Sequence, residues 1–510
     1  MRLFFFSLFP LWIVLLLFIF LPAAWSAEEP RVSSLLPSAD TNLLTIEYPY
    51  NNTLFPIDIT APTFRWRDEN SISKWRLEIE FNDGQSPLKI VCDQNRWCPE
   101  NKLWTNIKRR SLENTAVLTV FSLDFNGRAI KNRQTAIHFT TSNDPVSAPI
   151  FYRDVPLPFR LAFMKIDQIK WKLGHLSSEK PPKTVLANLR ACANCHSFSA
   201  DGSLLAMDVD YGNDKGSYII SPIEEEVNLQ PEELISWNDY RPDDGDKSFG
   251  FLSQISPDGR YIVSTVKDKS VQLPVKGIDY SLLFFPIQGT LVVFDRKTKE
   301  LYSLSGADNP DLIQTNPAWS PDGKWIVFAR AQADEYVDIQ KKYIENKKKV
   351  RYDLYRIPFN EGRGGTAKPL AGASCNRKSN FFPKYSPDGK WIVFCQAESY
   401  MLLQADSLLY IVPADGGQPK LMRCNHPGNM NSWHSFSPNS RWLVFSSKVD
   451  SPYTRLWLTH IDQRGTDSPP VLLENFIAEK RAANIPEFVN IKEGELQAIH
   501  QHIFERKKDR

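Results

Sequence analysis

The sequence predicts an all-β protein, a β-propeller preceded by a smaller β-sandwich, and three observations carry that expectation. A nine-residue pattern returns along the chain: Ser256-Pro257-Asp258-Gly259-Arg260-Tyr261-Ile262-Val263-Ser264 is matched by Ser320 to Phe328 and by Ser386 to Phe394. Aromatic residues make up 12% of the 510 residues, and 36 Pro outnumber 23 Gly, a mix of strand-formers and turn-formers. Upstream of the repeat, Trp75, Leu77, Ile79 and Phe81 alternate with Arg76, Glu78 and Glu80, the period of a half-buried strand. Composition excludes other classes. With 42% apolar and 24% charged residues the chain is neither disordered nor collagen-like. A net charge of +2 lacks the basic excess of a nucleic-acid binder.

In chain order, residues 1–26 read as a secretory signal: Arg2 is followed by an apolar run from Leu3 to Leu21 and a small-residue exit at Ala24-Trp25-Ser26. The run approaches the length of a membrane span, so an uncleaved anchor is the alternative, and only then would the chain meet a membrane. Both readings place the remainder outside the cytoplasm, and a periplasmic location is expected. Residues 27–148 lack the repeat. The strands around Trp75, Ala116–Phe121 and Ala136–Thr140 predict an immunoglobulin- or fibronectin-like sandwich. Cys92 and Cys98, six residues apart, are a candidate disulfide in an oxidising compartment. The Pro-rich stretch 149–159 reads as a linker.

Residues 160–490 carry the repeat. A weaker copy begins at Ser437 and a degenerate one at Ser199. Pro-Asp-Gly makes a tight turn, because Pro sets φ and Gly accepts a positive φ. A buried apolar strand follows each turn, then a third strand such as Asp353–Ile357 or Ser407–Ile411, then a short fourth such as Pro470–Leu473. Four antiparallel strands in a period of about 40–65 residues form a propeller blade. These residues resemble the TolB-like, WD40-like β-propeller repeat, whose mark is Ser-Pro-Asp-Gly followed by an aliphatic-aromatic strand. Five blades are visible. A sixth is assembled from residues 155–190 with the tail near Asn484–Val489, and six is the number that the resemblance implies. Residues 491–510 form a charged tail.

The chemistry concentrates at Cys192-Ala193-Asn194-Cys195-His196. C-x-x-C-H in an exported chain is the attachment motif of c-type haem, with two thioethers from the thiols and the imidazole as iron ligand. One covalent haem c per chain is therefore expected at Cys192 and Cys195, with His196 on the iron. A redox disulfide, half of a zinc site or a structural disulfide are the other readings. His196 precedes Ser199 by three residues and His434 precedes Ser437 by three, so both should enter a first blade strand at the same level, far from the turns. His434 is thus the candidate sixth ligand, with Met430, Met207 and His175 as rivals.

No G-x-S-x-G elbow or Gly-rich phosphate loop is present. Asp243-Asp244-Gly245-Asp246 reads as an acidic surface turn rather than a calcium site, and the lysines at 341, 342 and 347–349 as a solvated insertion or a docking patch for an acidic partner. The chain looks like exported bacterial proteins that join C-x-x-C-H to such a propeller. The expected function is periplasmic electron transfer or redox sensing with an envelope redox partner. The alternative is a haem-independent protein-binding platform like TolB. TolB-like propellers as a class lack the haem motif, which favours the first.

Overall fold

The computed structural model describes residues 44–69, 72–189, 195–273 and 283–501. The expected signal at 1–26 and the thiol of Cys192 lie outside the described residues. The chain is all-β, with short helices between strands.

Residues 44–142 build two sheets. One has three strands, with Phe64–Asp68 between Leu44–Tyr48 and Arg96–Trp97. The other has five, in the order Thr53–Pro56, Ala129–Ser142, Ala116–Leu123, Trp75–Phe81 and Leu88–Cys92. The alternation in Trp75–Phe81 is realised: Leu77 and Ile79 are buried against Phe55, Phe64 and Phe139, while Glu78 and Glu80 face outward. Cys92 and Cys98 are free thiols, not a disulfide. They sit at the edges of different sheets, and the Cys98 thiol points to the Ala61 carbonyl.

Six four-stranded antiparallel sheets follow among the described residues. Their innermost strands are Arg481–Phe488, His196–Phe198, Phe251–Ile255, Leu312–Trp319, Ser379–Tyr385 and Asn431–Phe436. The first sheet joins Ile150–Pro156, Lys170–Gly174 and Lys183–Ala187 from the start of the repeat region to Arg481–Phe488 from its end. The stretch read as a linker therefore contains a strand, and residues of the expected tail form another, Ala498–Gln501, paired in parallel with Glu226–Leu229.

The repeat has a local cause. In each copy the serine Oγ donates to the acidic or amide side chain two residues on and accepts the N–H five residues on. Ser386 Oγ lies 2.6 Å from Asp388 Oδ1 and 3.0 Å from Trp391 N. The pairs are repeated at Ser199, Ser256, Ser320 and Ser437. Gly389 has φ 72°, a left-handed value that glycine takes without a Cβ clash. Asn439 and Ser440 stand in for Asp and Gly in the last copy, with φ 62° at Ser440. The strand that leaves each turn is fully buried at its centre, as in Ile392, Val393 and Phe394.

A second regularity lies at the opposite end of the innermost strands. Leu252, Asn316, Phe382, Trp433 and Ile485 all have positive φ, each where the ladder register shifts. These are β-bulges, one extra residue that bends the strand and re-aims its side chain. The first four lie four residues before the turn serine, and Cys195 has that same offset from Ser199. The bulges lie across the strand from the turns, so side chains re-aimed there face one end of the assembly.

Candidate functional site

An apolar cavity opens at that end. Its walls include the bulge residues Leu252, Trp433 and Ile485, together with Cys195. Phe159 and Ala162 from the helix Phe159–Met164 cover one side. The cavity itself is small, about 150 Å³, below the roughly 300–1,000 Å³ of ordinary ligand sites, and it opens to solvent.

Cys195 is held by the strand next to it. Its N–H donates to Asp208 Oδ2 at 3.1 Å, and Asp208 N donates back to the Cys195 carbonyl at 3.1 Å. Burial is the first cause that drives the thiol pKa well above its ordinary value, with the Asp208 charge adding to it. The free Cys195 is therefore a thiol and not a thiolate at neutral pH. Burial also lifts the Asp208 carboxyl, to about 7.

His196 is 1% exposed and sits edge-on to Phe151, ring centroids 4.8 Å apart. Neither ring nitrogen has a hydrogen-bond partner among the described residues. Burial first, then the positive charge of Lys384, pushes its pKa down to about 3; the main chain of Ile485, near the ring but outside hydrogen-bond geometry, pulls weakly the other way. An orphaned, neutral, buried imidazole is costly unless something binds it. It is also the protonation state that a metal ligand requires.

His434 occupies the equivalent place one sheet from the chain's end, but its ring is engaged. Nε2 lies 3.0 Å from the carbonyl of Val393 in the preceding sheet, and Nδ1 lies 3.9 Å from Cys395 Sγ. Burial, with the Lys384 charge adding, pushes its pKa down to about 4. Each histidine thus turns toward the sheet before its own, and they enter different sheet interfaces: His196 meets Phe151, His434 meets Val393. Met207 is buried opposite His196 in the ladder, Met430 is buried, and His175 follows the strand Lys170–Gly174. No His or Met side chain is among the described residues that line the cavity.

Two groups escaped the sequence reading. Lys384 reaches Gln254 Oε1 at 3.1 Å and Glu487 Oε1 at 3.3 Å, joining innermost strands of three sheets. Arg153, from the stretch taken as a linker, lines the cavity. No local pattern announces either, since their partners are far along the chain. The acidic turn at 243–246 is spent on ion pairs, Asp244 with Lys267 at 2.6 Å and Asp246 with Lys269 at 2.8 Å. Within the lysine insertion, Asp334 holds Lys342 and Lys348.

No family model matches the chain, and no curated protein matches it in sequence. Solved structures do resemble it. TolB from Acinetobacter baumannii is 15% identical, with a TM-score of 0.41 over 73% of this chain and 79% of that one. Oligogalacturonate lyase from Vibrio parahaemolyticus is 13% identical, TM-score 0.34, over 60% and 70%. The periplasmic gluconolactonase of Pseudomonas aeruginosa is 12% identical, TM-score 0.33, over 62% and 81%. These are likenesses of fold and bring no activity to this chain.

Proposed function

We propose that this chain is an exported c-type haem protein of the cell envelope, built as a closed six-bladed TolB-like propeller behind an immunoglobulin-like sandwich, and that it transfers electrons or senses redox state with an envelope partner. Cys192 and Cys195 would carry the haem thioethers and His196 would be the iron ligand. The observation that carries the reading is His196: a buried imidazole with both nitrogens orphaned among the described residues, one position after a thiol that lines an apolar cavity. The donor types suit haem, a thiol and a neutral imidazole, but the described geometry does not yet hold it: Cys195 lines a cavity of about 150 Å³ while the His196 ring packs against Phe151 outside that lining, so attachment requires the ring and the cavity walls to rearrange. Once attached, haem supplies a one-electron couple. The chain's own part is to exclude water, to keep His196 neutral by burial and to set the Cys195 thiol through Asp208. His434 would reach an iron only by giving up Val393. The supporting test is mass spectrometry of the mature protein from a host with a haem-attachment system. One added haem is expected, absent from the Cys192→Ala/Cys195→Ala variant. An unmodified mass in that host removes the proposal and leaves the haem-independent binding platform.

A further inference from the structure

We propose that the basic ridge formed by Lys347, Lys349, Arg351 and Arg377 is a docking surface for an acidic partner protein, and that it seats that partner beside the mouth of the cavity. That the partner exchanges electrons rests on the function proposed above; the docking itself does not.

The ridge stands on main chain that is pinned in place. The Tyr352 carbonyl accepts the Asn380 N–H at 2.7 Å and Asp353 Oδ1 accepts the Cys375 N–H at 2.8 Å, which ties the stretch 347–353 to the stretch 375–380. A loop of the next sheet holds the first stretch as well. Tyr400 donates its hydroxyl to the Lys348 carbonyl at 2.9 Å and its N–H to the Val350 carbonyl at 2.7 Å, and Arg351 Nε donates to the Glu398 carbonyl at 3.1 Å. Lys347, Lys349, Arg351 and Arg377 are exposed, whereas Val350 and Tyr352 between them are buried, so the cations face out and the apolar side chains face in. The nearest acids are already taken: Asp334 pairs with Lys342 and Lys348, and Glu398 with Lys378. The exposed Glu335, Asp338 and Glu345 make no ion pair with the ridge, so its four cations have no carboxylate partner among the described residues.

The same loop leads from the ridge to the cavity. Glu398 and Tyr400 hold the ridge, and Leu402 and Leu403 line the cavity that Cys195 also lines. The Tyr400 ring stacks on Phe285, centroids 4.6 Å apart, and the neighbouring Phe284 is a further wall residue. Like charges gathered without partners repel one another, and an acidic face opposite them relieves that repulsion and steers encounter. A protein face is favoured over a bilayer because the ridge offers no exposed apolar side chain to insert between lipids.

The test uses the mature full chain made without haem attachment. The probes are a fluorescently labelled poly-L-glutamate peptide, the matching poly-L-glutamine peptide, and vesicles of phosphatidylglycerol with phosphatidylcholine. Anisotropy at rising salt reads binding, and carbodiimide coupling followed by mass spectrometry reads which lysines meet the peptide carboxylates. Poly-L-glutamate should bind, poly-L-glutamine should not, and the affinity should fall as salt rises. Coupling should concentrate at Lys347 and Lys349. Lys347→Glu/Lys349→Glu should weaken binding on the order of tenfold. Lys102→Glu/Lys131→Glu, exposed in the N-terminal sheets and equal in charge change, should leave it within about twofold. Equal losses in the two variants, coupling spread over other lysines, or no binding of poly-L-glutamate overturns the inference. Vesicle binding lost in Lys347→Glu/Lys349→Glu, without peptide binding, also overturns it and assigns the ridge to a membrane surface. The coupling map of the unaltered chain needs no variant, so a misfolded variant leaves the inference falsifiable. The haem reading is decided separately: an unmodified mass removes the redox role and leaves the docking, and one covalent haem with failed docking leaves the redox role and removes the ridge.

Discussion

His434 separates a structural imidazole from an iron ligand, and the geometry gives the size of the effect. The ring is 3% exposed and its Nε2 holds the Val393 carbonyl at 3.0 Å. His434→Ala empties a buried ring-sized volume, which in cores costs about 2–4 kcal/mol. It also removes a hydrogen bond that ties two neighbouring sheets, net about 1 kcal/mol. The two overlap, so we expect a loss of about 3 kcal/mol, with His434→Gln losing less because its amide N–H can still meet Val393. Urea unfolding followed by Trp emission measures this, and, should the proposed haem be attached, its absorption spectrum is taken beside it. The spectrum should not change. A stability change within about 0.5 kcal/mol, the range of a neutral surface substitution, together with an altered spectrum, would refute the reasoning. The ring would then be bound to iron in the working protein, and the Val393 contact would belong to the haem-free state alone.

Three further outcomes follow from contacts elsewhere. Ser386→Ala removes the Oγ that holds both Asp388 Oδ1 and Trp391 N, and should cost about 1–3 kcal/mol, whereas Asp415→Ala at an exposed ion pair should cost within about 0.5 kcal/mol in the same urea experiment. Lys384→Met strands Glu487 and Gln254 and should destabilise by about 1–3 kcal/mol; adding Glu487→Gln should recover part of it, and a double-mutant cycle with no coupling would exclude the pairing. His426 is buried beside Trp457, and burial pushes its pKa down to about 4 from 6.5. The unfolded chain therefore binds the extra proton first, and stability falls as pH drops from about 6.5 to about 4, by at most about 3 kcal/mol from this group. His426→Gln should flatten that part of the stability–pH curve, and an unchanged slope would show that the ring charges freely in the folded state.

What the sequence determined by itself is whatever closes within a few residues. The Ser-x-Asp-Gly turn is legible because Ser386, Asp388, Gly389 and Trp391 satisfy one another inside six positions. The alternation of Trp75–Phe81 is legible because a strand buries every second side chain. The C-x-x-C-H pattern at 192–196 is equally local, a spacing of two thiols and an imidazole. The tertiary structure alone decided how those pieces meet. Ile150–Pro156 looks like a linker in the sequence because of its prolines, and becomes a strand only when Arg481–Phe488 returns from the end of the repeat region to pair with it. The shared offset of His196 and His434 predicts equal heights but not ring direction. Direction follows from the preceding sheet, which presents the apolar Phe151 to one ring and the Val393 carbonyl to the other. Arg153 and Lys384 acquire meaning for the same reason: a charge in a cavity wall or between strands of three sheets is defined by neighbours that the chain reaches only after folding.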